Sequence, residues 1–533
     1  MLFDKGAENM AIRHYVLLAT DGNVKLPSTN DPCSPFDTLQ EIYIFGFVGG
    51  LFSVGDKIVN PDLDWSLSTN WPKMQAMISK ATLPSPIIWA EEGDDLYITL
   101  INLGMPVAGI VDPHTVHMHG AHVATQLDGF PETSFGVPMW MDFTAPPPVA
   151  TYYFKPEAPG TMMYHCHVEA SEHVQMGMYG ALVIYPSKES LCRVGITQDK
   201  KGMWRLYGKK LYHIPKTATN RNFAYNDVNT FFDKEYVMLL SDIDSVWHDA
   251  VKNGTPFKAA NYKPDFWLVN GRAFPDTLLP HPQTPPDGSD PNLAQINYES
   301  YVHVNTGQKF LLRMINLGYQ SVPWHIHGWH FTIVGKDSHP SPFLKIAEEL
   351  NLNSHLAQNM GFTVNVASGE TYDLILTADD KRPVYRNYIV NGQDGFFSLC
   401  SQMRALQAID PGVIADVPVE PVKCPPATVN YVDICNGTQG ADRFFPQFYP
   451  MHNHDDYKVT NTIISANASI YPGGQLTFIQ ADEPLPCSHE LEDTEADNDD
   501  ECDCFNVKYS SCGSNDSPHL VAVEVEIEED DED

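Results

Sequence analysis

The chain has 533 residues and a formal net charge of −35 at pH 7, so it is long and strongly acidic. This length predicts two or three domains, because a single hydrophobic core does not grow to such a size. The acidic balance argues against nucleic acid and anionic membrane surfaces as partners. It favours cationic substrates or metal ions. No segment reads as membrane-spanning, since the most apolar run, residues 42–54, is short and interrupted by glycines.

The N-terminal residues, MLFDKGAENM, lack the apolar core of a secretory signal peptide. We expect a chain that is either already processed or retained inside the cell. The ten cysteines favour the first alternative, because most of them cluster in polar surroundings, as disulfide-bonded cysteines of secreted proteins do. These clustered cysteines are Cys424, Cys435, Cys487, Cys502, Cys504 and Cys512. We therefore predict an extracellular or periplasmic location.

An internal repeat organises the chain. The stretch EEGDDLYITLINLG at residues 91–104 returns as NTGQKFLLRMINLG at residues 305–318. Two later landmarks recur in the same order, VHMHGAH as WHIHGWH and YHCH as MHNH. Self-similarity of this kind predicts two copies of one structural unit. The second copy carries an insertion at about 381–447.

The residue pattern between these repeated motifs indicates an all-β protein. Short runs rich in Val, Ile, Tyr, Phe and Thr alternate with Pro and Gly, as in β-sandwiches and barrels. We place domain 1 at about 35–195 and domain 2 at about 225–482. The remaining residues, 483–533, form a cysteine-containing tail with two acidic runs, which are expected to stay solvated.

Metal-binding chemistry is concentrated in residues 164–178, YHCHVEASEHVQMGM. A cysteine stands between two histidines, and a third histidine and a methionine follow. Cysteine, histidine and methionine together are the ligand set of a blue copper site. Neighbouring side chains of a strand face opposite ways, so Cys166 can bind one metal while His165 and His167 bind another. The sequence therefore predicts two metal centres joined through consecutive residues.

Four His-x-His pairs occupy equivalent places in the two repeats. Both histidines of such a pair face the same side of a strand. Eight converging imidazoles are enough for three copper ions, whereas a single His-x-His pair is usually a surface feature. The pairs are His117 and His119, His165 and His167, His325 and His327, and His452 and His454.

These motifs resemble those of the multicopper oxidase family, of the two-domain, laccase-like type, over about residues 35–480 apart from the insertion. The resemblance implies two cupredoxin-like Greek-key β-sandwich domains and four copper ions per chain. One type 1 copper would lie in domain 1, and one type 2 and two type 3 coppers would form a trinuclear cluster between domains. A small reducing substrate would give electrons at the type 1 copper, and O2 would be reduced to water at the cluster.

The resemblance also implies the ligands. Type 1 copper would be bound by His114, Cys166 and His173, with Met178 as the weak axial ligand and Met176 as a second candidate for that place. Type 2 copper would be bound by His117 and His325. The type 3 pair would be bound by His119, His165, His167, His327, His452 and His454. The loop from Cys166 to His173 is longer than is usual in the family.

The second repeat has lost the type 1 ligands. It carries Val322 and Asn453 where the first repeat carries His114 and Cys166. One type 1 copper per chain is therefore expected. The family resemblance further suggests Glu169 and Asp128 as acids for proton delivery, and the alternative for each is an ordinary loop acid.

Two other functions remain open at this point. A copper nitrite reductase also has two such domains, but its three-histidine type 2 site would leave several of the histidines without a role. A copper-binding or resistance protein without turnover is the other alternative. The reducing substrate is a phenol or aromatic amine, or a low-valent metal ion such as Mn(II), Fe(II) or Cu(I). In two-domain relatives the cluster halves meet across subunits, so a homotrimer is expected.

Overall fold

The computed structural model describes residues 11–27, 39–279, 297–344, 359–379, 446–460, 473–483 and 485. The predicted insertion and the acidic tail lie outside the described residues apart from 446, 447, 483 and 485, and so do the six clustered cysteines. In the part of the chain that is described, no helix is long and apolar enough to cross a membrane.

The N-terminal part forms two antiparallel-rich sheets, which we call the first sandwich. Its strands are β1 Ile12–Pro27, β2 Leu39–Val54, β3 Lys57–Ile58, β4 Ile88–Glu91, β5 Asp95–Asn102, β6 His117–His119, β7 Val149–Phe154, β8 Gly160–His165 and β9 Tyr179–Tyr185, with helices α1 Trp71–Gln75 and α2 Ala170–His173. One sheet has the order β3-β2-β1-β5-β7 and the other β4-β9-β8-β6. Side chains of both sheets share one buried cluster, which includes Tyr15, Phe45, Ile98, Tyr164 and Leu182.

A small unit follows in sequence, with helix α3 Lys188–Arg193 and strands β10 Ile196–Gln198, β11 Trp204–Leu206 and β12 Lys209–Lys210. Its three strands form a sheet in sequence order. Trp204, Phe223 and Phe231 belong to its own buried cluster, so this unit has a core separate from those of the two sandwiches. Cys192 in α3 is disulfide-bonded.

The C-terminal part forms the second sandwich. Its elements are β13 Lys234–Ile243, α4 Ser245–Lys252, β14 Phe266–Val269, β15 Val302–Asn305, β16 Lys309–Asn316, β17 Val322–Ile326, β18 Phe331–Lys336, β19 His339–Pro340, β20 Met360–Gly361, β21 Thr363–Val366, β22 Thr371–Thr377, β23 Gln447–Asn453 and β24 Leu476–Asp482. One sheet has the order β14-β13-β16-β22-β18-β19, with β20 paired to β18, and the other has the order β15-β24-β23-β17-β21. The predicted all-β fold is confirmed.

The sequence repeat is visible in the strand pairing. In the first sandwich β1 runs parallel to β5 and β4 parallel to β9. The second sandwich has the same two parallel pairs, β13 with β16 and β15 with β24. Strand β1 lies before residue 35, where sequence reasoning begins domain 1, yet it pairs with β2 and β5 in the first sandwich. Its central residues, Asp21, Gly22 and Asn23, stay extended along β2.

Strand β9 explains how the two sandwiches are held together. All seven of its residues are buried. Leu182 and Ile184 face the core of the first sandwich. Ala181 and Val183 face a second buried cluster that also contains side chains of β13, β14 and β16. A continuous apolar run is typical of a strand that is covered on both faces. The two sandwiches accordingly belong to one compact unit.

Candidate metal centres

Three predicted type 1 ligands converge at the end of β8. Cys166 follows this strand directly, His173 closes α2, and His114 is held by a short antiparallel bridge to Val137. The Sγ atom of Cys166 lies 3.7 Å from Nδ1 of His114 and 3.4 Å from Nδ1 of His173. All three side chains are fully buried. One thiol sulfur and two imidazole nitrogens therefore point at a common centre.

Burial sets the protonation of this group. It raises the pKa of the Cys166 thiol to about 11 and lowers the pKa of His173 to about 4. The pKa of His114 is also held well below its usual value by burial and by the neighbouring His173. Both imidazoles are thus neutral near pH 7, and their buried Nε2 atoms have no hydrogen-bond partner among the residues that the structure describes. A soft thiolate and two neutral imidazoles are a donor set that fits copper.

The two candidate axial methionines lie next to this group. The amide of Cys166 donates to the carbonyl of Met178 at 3.0 Å, and the amide of Met178 donates to the carbonyl of His173 at 3.0 Å. The carbonyl of Met176 accepts from the amide of Phe45. Both methionine side chains share a buried cluster with Cys166. Met178 remains the predicted axial ligand, and its backbone is tied to two of the other ligands.

The first histidine group consists of His117, His119, His165 and His167. Strands β6 and β8 pair so that His117 lies opposite His165. The ring of His117 is 5.1 Å from each of the rings of His165 and His167. Nδ1 of His117 faces the carbonyl of Asp128 at 2.6 Å, and Nδ1 of His165 faces the carbonyl of Cys166 at 2.9 Å. These contacts place the ring proton on Nδ1 and leave the Nε2 lone pairs for a metal.

The second histidine group consists of His325, His327, His452 and His454, and it repeats the same design. Strands β17 and β23 pair so that His325 lies opposite His452. Nδ1 of His325 faces the carbonyl of Phe362 at 2.8 Å, and Nδ1 of His452 faces the carbonyl of Asn453 at 2.9 Å. Nε2 of His327 lies 3.0 Å from Nε2 of His452. The two groups are therefore equivalent in strand pairing and in ring orientation.

The second sandwich has no type 1 ligand set among its described residues. Asn453, at the position of Cys166, is buried, and its amide donates to Gln475 Oε1 at 2.7 Å. Val322, at the position of His114, is also buried. A side-chain hydrogen bond and an apolar side chain thus occupy the places of the thiol and imidazole.

The two histidine groups share no ring contact within the ranges that the structure describes. Ring contacts join histidines inside each group, and none joins the two groups in the described part of the chain. His327 and His454 are exposed. A partly exposed phenylalanine lies beside each group, Phe130 at 4.8 Å from the ring of His167 and Phe362 at 5.8 Å from the ring of His325. Each group therefore opens towards the surface next to apolar side chains.

The two predicted acids take different positions. The carboxylate of Glu169 lies with Asp112 and His173 in a group whose ligand atoms are all within 4.8 Å of one another. Glu169 is thus close to the type 1 ligands. Asp128 is close to the first histidine group, where its carbonyl faces His117 and its carboxylate accepts from the amide of Phe130. Sequence reasoning missed Asp112, although it stands two positions before His114.

The fold is a pair of β-sandwiches, and its centres are one Cys-His-His group and two groups of four histidines, donors that fit copper. Residues 65–189 match the family model described as "Multicopper oxidase", and they include Cys166 and the first histidine group. This match over residues 65–189 confirms the resemblance to the multicopper oxidase family that the motifs indicate.

Two curated proteins with similar sequences have names that mention copper. The chain is 25% identical over 360 residues to "Copper resistance protein A" of Pseudomonas syringae pv. tomato, covering 64% of this chain and 48% of that protein. It is 30% identical over 174 residues to the "Copper-containing nitrite reductase" of Pseudomonas chlororaphis, covering 31% of this chain and 42% of that protein. The chain thus spans less than half the length of these curated relatives.

Among solved structures, the chain is similar to the blue copper oxidase of Nitrosomonas europaea. The match has a TM-score of 0.45 and 20% sequence identity, and it covers 88% of this chain and 85% of that one.

Proposed function

We propose that this protein is a copper-dependent oxidase that takes single electrons from a reducing substrate and reduces O2 to water. The observation that carries the proposal is the duplicated histidine design. His117 pairs with His165 and His325 pairs with His452 in the same way. Two equivalent groups of four histidines supply the eight imidazoles of a trinuclear copper cluster, and Cys166 stands between two of these histidines.

Copper bound at these residues would supply the one-electron redox chemistry that protein side chains of this kind do not provide alone. The chain supplies the ligands and their orientation. Cys166, His165 and His167 are consecutive residues, so covalent bonds connect the type 1 ligands to the first histidine group. The carbonyl of Asp128 fixes the ring orientation of His117, as a hydrogen-bond acceptor next to a ligand does in metal sites. We propose the Asp128 carboxyl as a proton source at this group.

A homotrimer is part of the proposal. Each histidine group is incomplete alone, and each opens at the surface beside Phe130 or Phe362. A head-to-tail contact would bring the first group of one subunit to the second group of the next, and such contacts close into a ring. Apolar side chains at the rim of both groups suit a contact of this kind. We also propose an extracellular or periplasmic location, which the disulfide at Cys192 supports.

Copper content and oxygen consumption test the proposed function. The copper-loaded protein is expected to hold about four copper ions per chain and to consume O2 with a phenol or a low-valent metal ion as electron donor. Cys166→Ser is the control: it should remove about one copper per chain, the blue absorption and the oxygen uptake. About two copper ions per chain, with reduction of nitrite, would support the nitrite reductase alternative, which the local identity to such an enzyme favours. An irregular copper content without turnover would support a resistance protein.

The reducing substrate is proposed to be a metal cation. The carboxylates of Asp112 and Glu169 lie beside His173, a type 1 ligand, and the chain carries a net charge of −35. Anionic oxygens at this place would hold a cation close to the type 1 centre. This reading moves Glu169 from the oxygen side of the reaction, where the motif suggested it, to the substrate side.

Neutralising these two acids tests the substrate. Asp112→Asn and Glu169→Gln are expected to raise the Michaelis constant for Mn(II), Fe(II) or Cu(I) about tenfold and to leave turnover of an uncharged phenol within about twofold. Glu157→Gln is the matched control, because this exposed acid precedes β8 at the end opposite Cys166. Equal losses with phenol and with metal ions would contradict a cation site.

A further inference from the structure

The second sandwich contacts the loop that carries the type 1 ligands. We call residues 166–178 the type 1 loop. The hydroxyl of Tyr319 donates to the carbonyl of Ser171 at 2.6 Å and also reaches the carbonyl of Ala170 at 3.3 Å. Nε2 of Gln175 donates to the carbonyl of Asp242 in β13 at 3.0 Å. These bonds cross from one sandwich to the other, over 148 residues of sequence in the case of Tyr319.

His248 in α4 of the second sandwich contacts both the type 1 loop and strand β2 of the first sandwich. Its Nε2 faces the carbonyl of Gln175 at 3.0 Å, and its Nδ1 faces the carbonyl of Tyr43 in β2 at 2.6 Å. His248 is almost completely buried, at 1% exposure. A carbonyl oxygen only accepts, so the ring donates to both carbonyls when both nitrogens carry protons, and to one of them when it is neutral. In either form the imidazole fills the space between β2 and the loop.

Helix α4 is placed for this role by its own sequence. The carboxylate of Asp244 caps the helix, accepting from the amides of Val246 and Trp247 at 3.1 Å each. Trp247 and Val251 then enter the buried cluster that contains Cys166 and both candidate axial methionines. Residues of the second sandwich thus complete the core around the type 1 ligands of the first.

The type 1 loop needs such support. Its helix α2 has four residues, and the N-cap residue before the helix, Glu169, has a positive φ of 43°. A single turn of helix is unstable by itself, because the first turn fixes several residues for one hydrogen bond. External contacts must therefore hold His173 at its place.

We propose that Tyr319 and His248 are positioning residues that hold the type 1 loop in its ligand geometry, so that the second sandwich controls the copper site of the first. This inference rests on the proposed copper site at Cys166. Neither residue touches the reacting atoms. Their effect passes through the carbonyls of Ser171 and Gln175 to His173 and Met178.

Removing one hydroxyl tests this role with little risk to folding. Tyr319→Phe is expected to shift the blue absorption band and the reduction potential of the type 1 copper, and to speed the release of that copper to a chelator about two- to tenfold, as loss of one hydrogen bond implies. Tyr236→Phe is the matched control. It lies in the same sandwich, and its hydroxyl donates to the carbonyl of His303 at 2.9 Å.

A second variant and a stability measurement separate positioning from general destabilisation. His248→Gln should show the same spectral shift as Tyr319→Phe, measured at temperatures where both variants are fully folded. Tyr319→Phe with the parental band, potential and copper release would overturn the proposal. Absence of the blue band from the parental protein would instead contradict the copper site itself. Failure of the proposed copper site and failure of the positioning role are therefore distinguishable.

Discussion

Burial disfavours the charged forms of Cys166, His114 and His173. Without a cation the thiol keeps its proton, because burial raises its pKa to about 11. The neighbouring imidazoles stay neutral for the same reason. Copper held by these residues would stabilise the thiolate that burial disfavours. The three side chains are therefore arranged to bind a metal, and burying them without one costs folding free energy.

Acid should destabilise the copper-free protein. The pKa of His173 is lowered from 6.5 to about 4, so the unfolded chain takes up a proton below pH 6.5 and the folded chain does not. The stability from neutral His173 is complete above pH 6.5 and is lost as pH falls towards 4. Between pH 7.5 and 5 the expected loss is about 2 kcal/mol. Thermal unfolding of copper-free protein and of His173→Gln measures it. An equal pH dependence in both proteins would contradict this assignment.

These residue identities were largely readable from the sequence, and their surroundings were not. The spacing of His117 and His119 predicted one face of a strand, and β6 has Met118 buried between them. The cysteine between two histidines predicted two connected centres. Asp112 was missed because an acid in a loop has no distinctive spacing. Tyr319 and His248 were missed because they approach the type 1 loop only through the packing of the two sandwiches.

At the scale of elements, strand period and strand pairing determine the histidine groups. In β17 the residues Val322, Trp324 and Ile326 are buried, so His325 faces the other side. The same pairing of β6 with β8 and of β17 with β23 then converts a sequence repeat into two equivalent groups. Loops follow no such period. The type 1 loop therefore depends on specific contacts and on a tight turn at Gly177.

Gly177 should be essential for the shape of the type 1 loop. Its φ is +114°, and an added Cβ would lie 2.8 Å from Leu83 Cδ1 and 2.9 Å from the carbonyl oxygen of Phe45. Gly177→Ala is expected to weaken the blue absorption and to speed copper loss, because the loop must move away from β2. Gly208→Ala is the control, since Gly208 has a positive φ of 79° with open space around it. Equal effects of the two substitutions on the copper site would contradict a specific role of Gly177 in the shape of the type 1 loop.

At the scale of the whole molecule, the two sandwiches are joined into one compact unit. Arg313 illustrates the connection. It is fully buried, donates to Glu235 at 2.8 Å and to Thr161 at 2.9 Å, and Thr161 donates to Asp373 at 2.6 Å. Such a buried charged network fixes the relative position of the parts it joins, because separating its members would leave charges unpaired. The sequence predicted two repeats, but the shared core at β9 and this network depend on tertiary packing.

Mixed oligomers test most directly whether two subunits build one copper cluster together. His119→Ala damages the first histidine group and His327→Ala damages the second, so each variant alone is expected to be inactive. When the two variants are produced together with different tags and the mixed oligomers are isolated, a closed ring of three contains one intact pairing of groups. Oxygen uptake of about one third of the parental rate is therefore expected. Mixed oligomers as inactive as either variant would show that no cluster forms between subunits and would contradict the proposed function as a trimeric oxidase.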